Sequence, residues 1–338
     1  MVKRVGRLMP RICSLENLHE AFLRSVRGKA GKQAVVRMRD HLDEHLLLMQ
    51  RQLMDGTFRF GVYNFFEIID QKRRTICAAS FPERVAFHAM MRICHPVFEA
   101  FQCDCSFASR PNRGTYKALE RAQQLAGRYR WFAKLDVVKF FYSISHEVMM
   151  AQLCRLFKDP VLLMHFQRIV DSYEASPGRG LPIGNLTSQY FANHYMGVAD
   201  HWAKEQLHVA AMVRYMDDVL LFAHDRCELL RQVKAFAEYI NTELRMEMHE
   251  PIINQTKYGI PFLGYVVYRD RLRLTQRSCR RYRRKMQKLA QEMDSGSIDE
   301  REYAQRATCL VAFVSKADSS GYRHYLQKMK TGIYPQGL

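Results

Sequence analysis

Two adjacent carboxylates set between apolar runs constrain this chain more than any other feature. Ala211–Ala223 reads Ala-Met-Val-Arg-Tyr-Met-Asp-Asp-Val-Leu-Leu-Phe-Ala. The Val, Leu and Phe residues flanking Met216-Asp217-Asp218 predict two buried strands joined by a tight turn. Two ionised carboxylates in that setting repel each other and lose hydration, so a cation or a hydrogen-bond network must compensate them. Taken alone, the pair is better explained by a solvated turn. A second acidic point upstream changes the balance, because Lys134-Leu135-Asp136-Val137-Val138-Lys139-Phe140-Phe141 ends an apolar run in one aspartate. Two strands that each end in Asp can pair and bring three carboxylates to one point. Hard divalent cations prefer such oxygen ligands, and paired ions can clamp the attacking and leaving oxygens of a phosphoryl transfer.

Charge narrows the partner. Lys and Arg outnumber Asp and Glu by 52 to 34, a net charge of +18, which points to a polyanion, nucleic acid before an anionic membrane. The 338 residues suffice for one multi-lobed unit or two to three modest domains, and 48% hydrophobic with 12% aromatic content argues against global disorder. No apolar stretch approaches a membrane span, and the basic start, Met1–Arg11, lacks the apolar region of a signal peptide, so a cytoplasmic protein without membrane contact is expected. Nine scattered cysteines read as reduced thiols. Cys103-Asp104-Cys105 with His88, Cys94 and His95 matches no zinc spacing and reads as buried thiols.

Ser14 caps a predicted helix to about Arg27, and a second runs from about Ala34 to Met54, closed by Asp55-Gly56. Tyr63–Asp70 and Thr75–Ala79 alternate as an antiparallel hairpin with Lys72, Arg73 and Arg74 at its tip, placed to hold a triphosphate. Pro82 opens a helix through Phe98 with Arg84 in its first turn, and the basic turn Ser109–Thr115 feeds a helix to about Gly127. Helices are expected over His146–Phe157, Val161–Tyr173, Asn185–Glu205 and Glu228–Glu243, with another hairpin from Pro261–Tyr268 and Arg271–Leu274. Beyond Arg277 a densely basic helix carries Arg280, Arg281, Arg283, Arg284, Lys285 and Lys288, with Tyr282 and Met286 on an apolar side. A duplex backbone is its natural partner.

With these stretches in view, the chain resembles a reverse transcriptase from about Tyr63 to Tyr268, with a thumb-like segment after it. Tyr215-Met216-Asp217-Asp218 resembles the family's catalytic box and Asp136 its first metal-binding aspartate. Arg74-Thr75-Ile76 and Arg110-Pro111-Asn112-Arg113-Gly114 resemble two fingers motifs, and Phe262-Leu263-Gly264-Tyr265 the primer grip. Each box alone is weak, but their common order and spacing is specific. The lysine often found ahead of the primer grip is not obvious in Arg245–Pro251, and Lys257, the nearest, carries no assigned role.

Gly180-Leu181-Pro182-Ile183-Gly184-Asn185-Leu186-Thr187-Ser188-Gln189 narrows the lineage. Ile183-Gly184 and Ser188-Gln189 replace the usual Gln-Gly and Ser-Pro, which resembles the reverse transcriptases of diversity-generating retroelements in bacteria and phages. That resemblance implies error-prone copying of a structured template-repeat RNA into cDNA, with errors at adenines, beside a pentameric basic accessory variability protein. A retron, group II intron-like or defence-associated enzyme is the alternative, and a non-catalytic RNA-binding scaffold a further one.

The resemblance implies an α+β right hand: an N-terminal extension and fingers over 1–130, a palm over 131–276 and a basic helical thumb over 277–338. It implies two Mg²⁺ ions, with Mn²⁺ as a possible substitute, held by Asp136, Asp217 and Asp218 and by the Val137 carbonyl, with Asp218 more peripheral. Lys72, Arg74, Phe141, Ile183 and Gly184 would meet the deoxynucleoside triphosphate, Phe141 excluding a 2′-hydroxyl. Arg84, Arg110, Arg113, Ser188, Gln189, Phe262, Leu263, Gly264, Arg280, Arg281, Arg284 and Lys288 would meet template and primer.

Overall fold

A computed structural model describes residues 4–69 and 73–318. Among the described residues nine strands form three antiparallel sheets among helices, so the expected α+β class is what the chain adopts. The hairpin β1 (Tyr63–Ile69) and β2 (Arg73–Ala79) stands apart, pairing Tyr63 with Ala79 through Ile69 with Arg73. Arg73 and Arg74 therefore belong to β2 and not to the hairpin tip; Lys72 lies outside the described residues.

The central sheet has the order β4-β5-β3-β6, built from β3 (Trp131–Leu135), β4 (Ala211–Tyr215), β5 (Asp218–Ala223) and β6 (Ile252–Gln255). One of its faces sets Ala133, Leu135, Val219 and Leu221 into the main core with the Phe81–Phe101 and Leu186–Glu205 helices. The other sets Phe132, Leu220 and Phe222 against the Thr115–Arg128 helix and a three-stranded sheet, β7 (Ile260–Phe262), β8 (Tyr265–Val267) and β9 (Leu272–Leu274). Burial on both faces is why β4 and β5 read as near-continuous apolar runs instead of alternating ones.

Several elements differ from expectation. The helix anticipated over Ala34–Met54 is two, Gln33–Asp40 and Leu42–Met54, broken at His41, whose φ of −129° and ψ of 46° leave the helical region. The segment after Pro261 forms three strands, with Leu263 and Gly264 both at positive φ in the tight β7–β8 turn, the conformation that such hairpin turns require. Ser14 caps Leu15–Val26 as expected, accepting from the Asn17 N–H. The basic helix spans Gln276–Asp294 and packs on a second one, Glu300–Ser315. Among the described residues no helix is long and apolar enough to cross a membrane.

Candidate active site

The acidic ends of β3 and β5 meet because of strand register. Leu135 pairs with Val219, so the next antiparallel step sets Asp136 against Asp218. Asp217 occupies the β4–β5 turn, closed by the Tyr215–Asp218 pair and by Met216 in the left-handed region at φ 56°. Burial and then the nearby Asp136 carboxylate push the Asp217 carboxyl up to about 6, with Asp218 adding to the effect and Arg74 opposing it. Burial also raises Asp218, but Lys134 opposes the rise, its Nζ lying 3.0 Å from Asp218 Oδ1.

The three carboxylates expected to converge act on one another electrostatically: Asp136 raises both Asp217 and Asp218, and Asp218 is also turned to Lys134. Among the described residues no three His, Cys, Asp or Glu side chains close around one point. The residues fit a hard divalent cation nonetheless. The donors are oxygens, and Asp217 carries excess negative charge that such an ion would relieve. The backbone beside them is anchored on the Met246–His249 segment, with His249 N–H donating to the Asp136 carbonyl at 2.9 Å and Val138 N–H to the Glu247 carbonyl at 2.9 Å. Val137 itself is buried.

The residues expected to meet the nucleotide divide. Arg74 is exposed on β2 and near enough to Asp217 to influence it electrostatically. Phe141 is half-buried on the core, its carbonyl accepting from Leu181 N–H at 2.7 Å. Ile183 is half-buried and Gly184 exposed, and the Ile183 carbonyl accepts from Cys77 N–H at 2.8 Å, tying this loop to β2. Gly184 has φ 111°, and a Cβ there would lie 2.8 Å from Ile76 Cγ2, so only glycine fits.

Several expected template and primer contacts are corrected by burial. Arg110 has a side chain only 7% exposed and is spent on Glu99, at 2.6 Å from Nη2, and on the Cys103 and Ser106 carbonyls. Ser188 and Phe262 are fully buried. Arg84 donates Nε–H to the Ala79 carbonyl, closing its own helix start. Arg281 lies over the Phe313 ring, 5.5 Å from its centroid. Arg280, Arg284 and Lys288 are exposed along the basic helix, Lys288 within 3.7 Å of Glu292. Gln189 is exposed and accepts from Ser109 Oγ, joining two of the expected contact regions.

A cavity of about 790 Å³ gathers other expected residues. Arg113, Phe262, Leu263 and Gly264 line it together with Lys134, Asp218 and the start of the basic helix. The Gly264 carbonyl accepts from Ser278 Oγ at 2.7 Å, docking the β7–β8 turn onto that helix. Asp136 and Asp217 are not among its lining residues. Sequence reasoning missed Lys134, although its spacing of two from Asp136 places both on one side of a strand.

The charge on Asp217 has a measurable consequence. A carboxyl raised from 3.8 to about 6 binds its proton more tightly folded than unfolded. Its contribution is fully present below about pH 4 and lost as pH rises through about 6. In chelator at pH 7.5, Asp217→Asn should therefore melt above the wild type, by a margin that shrinks below pH 6. The ceiling is roughly 3 kcal/mol. Thermal unfolding across pH in EDTA checks this, and a variant less stable at pH 7.5 would contradict the assigned repulsion.

Residues 70–267 match the family described as reverse transcriptase (RNA-dependent DNA polymerase). A curated relative, the putative COX1/OXI3 intron 1 protein of Saccharomyces cerevisiae, is 21% identical over 238 residues, which are 67% of this chain and 28% of that protein. The chain thus spans little more than a quarter of that relative. Similar solved structures include apo telomerase from Candida tropicalis, 10% identical with a TM-score of 0.46, covering 63% of this chain and 55% of that one. Telomerase from Candida albicans, solved with a fragment of telomeric RNA, is 13% identical with a TM-score of 0.48, covering 69% and 51%. On the family match, which takes in more than half of its residues and both acidic strand ends, the chain belongs to the reverse transcriptase family.

Proposed function

We propose that the chain is an RNA-directed DNA polymerase that extends a primer 3′-hydroxyl with deoxynucleotides on an RNA template. The observation that supports this most is the electrostatic coupling of Asp136 and Asp217 at adjoining strand ends within the family match. Divalent ions, Mg²⁺ with Mn²⁺ as substitute, held by Asp136 and Asp217 and by the Val137 carbonyl, would acidify the primer hydroxyl and neutralise the triphosphate. Arg74 would steady the phosphates from β2. Asp218, ion-paired with Lys134, would sit more peripherally, and Phe141 would close the sugar side against a 2′-hydroxyl. On this reading residues 1–130 serve as fingers, 131–276 as palm and the basic segment from 277 as thumb.

Primer extension on a homopolymer RNA template tests the reading. DNA product supports it; duplex binding without synthesis would favour a non-catalytic scaffold. The basic helix gives a second readout. Neutralising Arg280, Arg284 and Lys288 together should flatten the dependence of log affinity on log salt, roughly one unit of slope for each phosphate that is no longer neutralised. An unchanged slope would assign that face to solubility or to a protein partner.

A narrower reading rests on Ile183. We infer a diversity-generating retroelement enzyme, acting in the cytoplasm of a bacterial or phage-infected cell with a pentameric accessory protein. With its carbonyl bonded to β2, Ile183 offers only an apolar side chain, which cannot sense hydrogen-bonding geometry at the nascent pair. Losing about 1.4 kcal/mol of differential transition-state binding costs roughly tenfold in discrimination. Ile183→Gln should accordingly lower the error rate; the expected focus on template adenine comes from the resemblance alone. The yeast intron relative favours an intron-type enzyme instead. Sequencing cDNA made by both forms on one adenine-rich RNA decides, equal error spectra favouring the intron type and leaving Ile183 a packing residue.

A further inference from the structure

We propose that Arg214, a fully buried arginine outside the carboxylate pair, is the positioning residue that fixes the turn carrying Asp217 and ties it to the Cys103–Arg113 loop. Arg214 is 0% exposed, and so is its ion partner Asp200. Its Nε donates to Asp200 Oδ1 at 2.7 Å and its Nη2 to Asp200 Oδ2 at 2.6 Å. The same guanidinium then reaches in two directions. Nη1 donates to the Met216 carbonyl at 3.0 Å and to Asn193 Oδ1 at 2.9 Å, while Nη2 donates to Ser106 Oγ at 3.0 Å.

The Met216 contact is the informative one. Met216 holds φ 56°, a conformation that costs a non-glycine residue free energy and persists only where its surroundings enforce it. Its carbonyl belongs to the peptide that leads into Asp217, so anchoring that oxygen sets the direction in which the carboxylate leaves the turn. Lysine could not do this, because only a planar fork serves Asp200 and the turn at once. The main chain completes the tie: Arg214 N–H donates to the Cys105 carbonyl at 2.7 Å and Phe107 N–H to the Arg214 carbonyl at 2.9 Å. The loop that ends in Arg113, on the cavity wall, is thereby registered to the catalytic turn through one residue.

This inference rests on the polymerase reading, so its test carries a readout that does not need turnover. Mn²⁺ binding to the full chain is followed by electron paramagnetic resonance, with Asp217→Asn as the control that loses it. Arg214→Lys should weaken Mn²⁺ binding about tenfold or more and lower kcat about a hundredfold, with duplex affinity and KM for the triphosphate within about threefold. Ser106→Ala, which removes a hydroxyl that reaches the turn through Arg214 and also donates to Asn193 Oδ1 at 3.3 Å, should lower kcat by about three- to tenfold with the protein still folded and its melting temperature only a few degrees lower. It should have no further effect in the Arg214→Lys background, where the shared path is already broken. If Arg214→Lys fails to fold, Ser106→Ala decides alone. Unchanged Mn²⁺ affinity in Arg214→Lys, or unchanged kcat in Ser106→Ala, would overturn the role of Arg214. A wild type that binds Mn²⁺ yet makes no DNA would sink the polymerase reading, and the Mn²⁺ comparison would still decide Arg214.

Discussion

Asp217→Asn is expected to lower primer extension by about a thousandfold or more, which corresponds to about 4 kcal/mol of lost transition-state stabilisation. Duplex affinity should stay within about threefold, because binding of the backbone depends on basic side chains elsewhere. The substitution removes the charge that burial and Asp136 make costly and hardly changes volume. On the proposed reading it deletes the attraction for a cation at the point where the triphosphate would be neutralised. Single-turnover extension together with a duplex-binding titration separates the two effects. Extension near the wild-type rate would remove Asp217 from the chemistry.

Arg110→Ala should act through stability and not through nucleic-acid binding. The basic motif suggests a phosphate contact, yet the guanidinium is committed to Glu99 and to two carbonyls, with 7% of its side chain exposed. Removing the buried guanidinium leaves two carbonyls and the partly exposed Glu99 without their donor, at a cost of about 1–2 kcal/mol. The effect should reach the Cys103–Arg113 loop first, since Arg110 bonds back onto it. Urea unfolding should show the loss, while the salt slope of duplex binding in the folded fraction stays unchanged. A stable variant with a lower slope would restore Arg110 as a template contact.

Much of the site was legible because its elements announce themselves locally. Val219–Phe222 are buried on both sheet faces, and this run behind Asp218, with a second apolar run that leads into Asp136, is what made the acidic strand ends readable. The glycines at 184 and 264 mark turns that take positive φ. What the sequence concealed was burial and direction. Arg110 and Arg113 look alike in a basic turn, but one is spent inside the protein and the other faces a cavity. Ser188 sits in a recognisable motif yet is buried, and Phe262, 1% exposed, meets the cavity wall only from within the core. Lys134 and Arg214 gain their meaning only from partners distant in the chain, Asp218 and Asp200. β6 was missed because four residues, Ile252–Gln255, at the sheet edge carry little pattern. The break at His41 was missed because neither glycine nor proline marks it.

On the proposed reading, Asp136 and Asp217 act as one charge-coupled pair in DNA synthesis on RNA. The most direct measurement is Mg²⁺-dependent incorporation of deoxynucleotides onto a primer annealed to RNA, comparing the wild type with Asp136→Asn under matched duplex occupancy. Template-dependent extension by the wild type and a loss of about a thousandfold in the variant are expected. Extension at similar rates by both, or no extension by a wild type that binds the duplex, would contradict that reading.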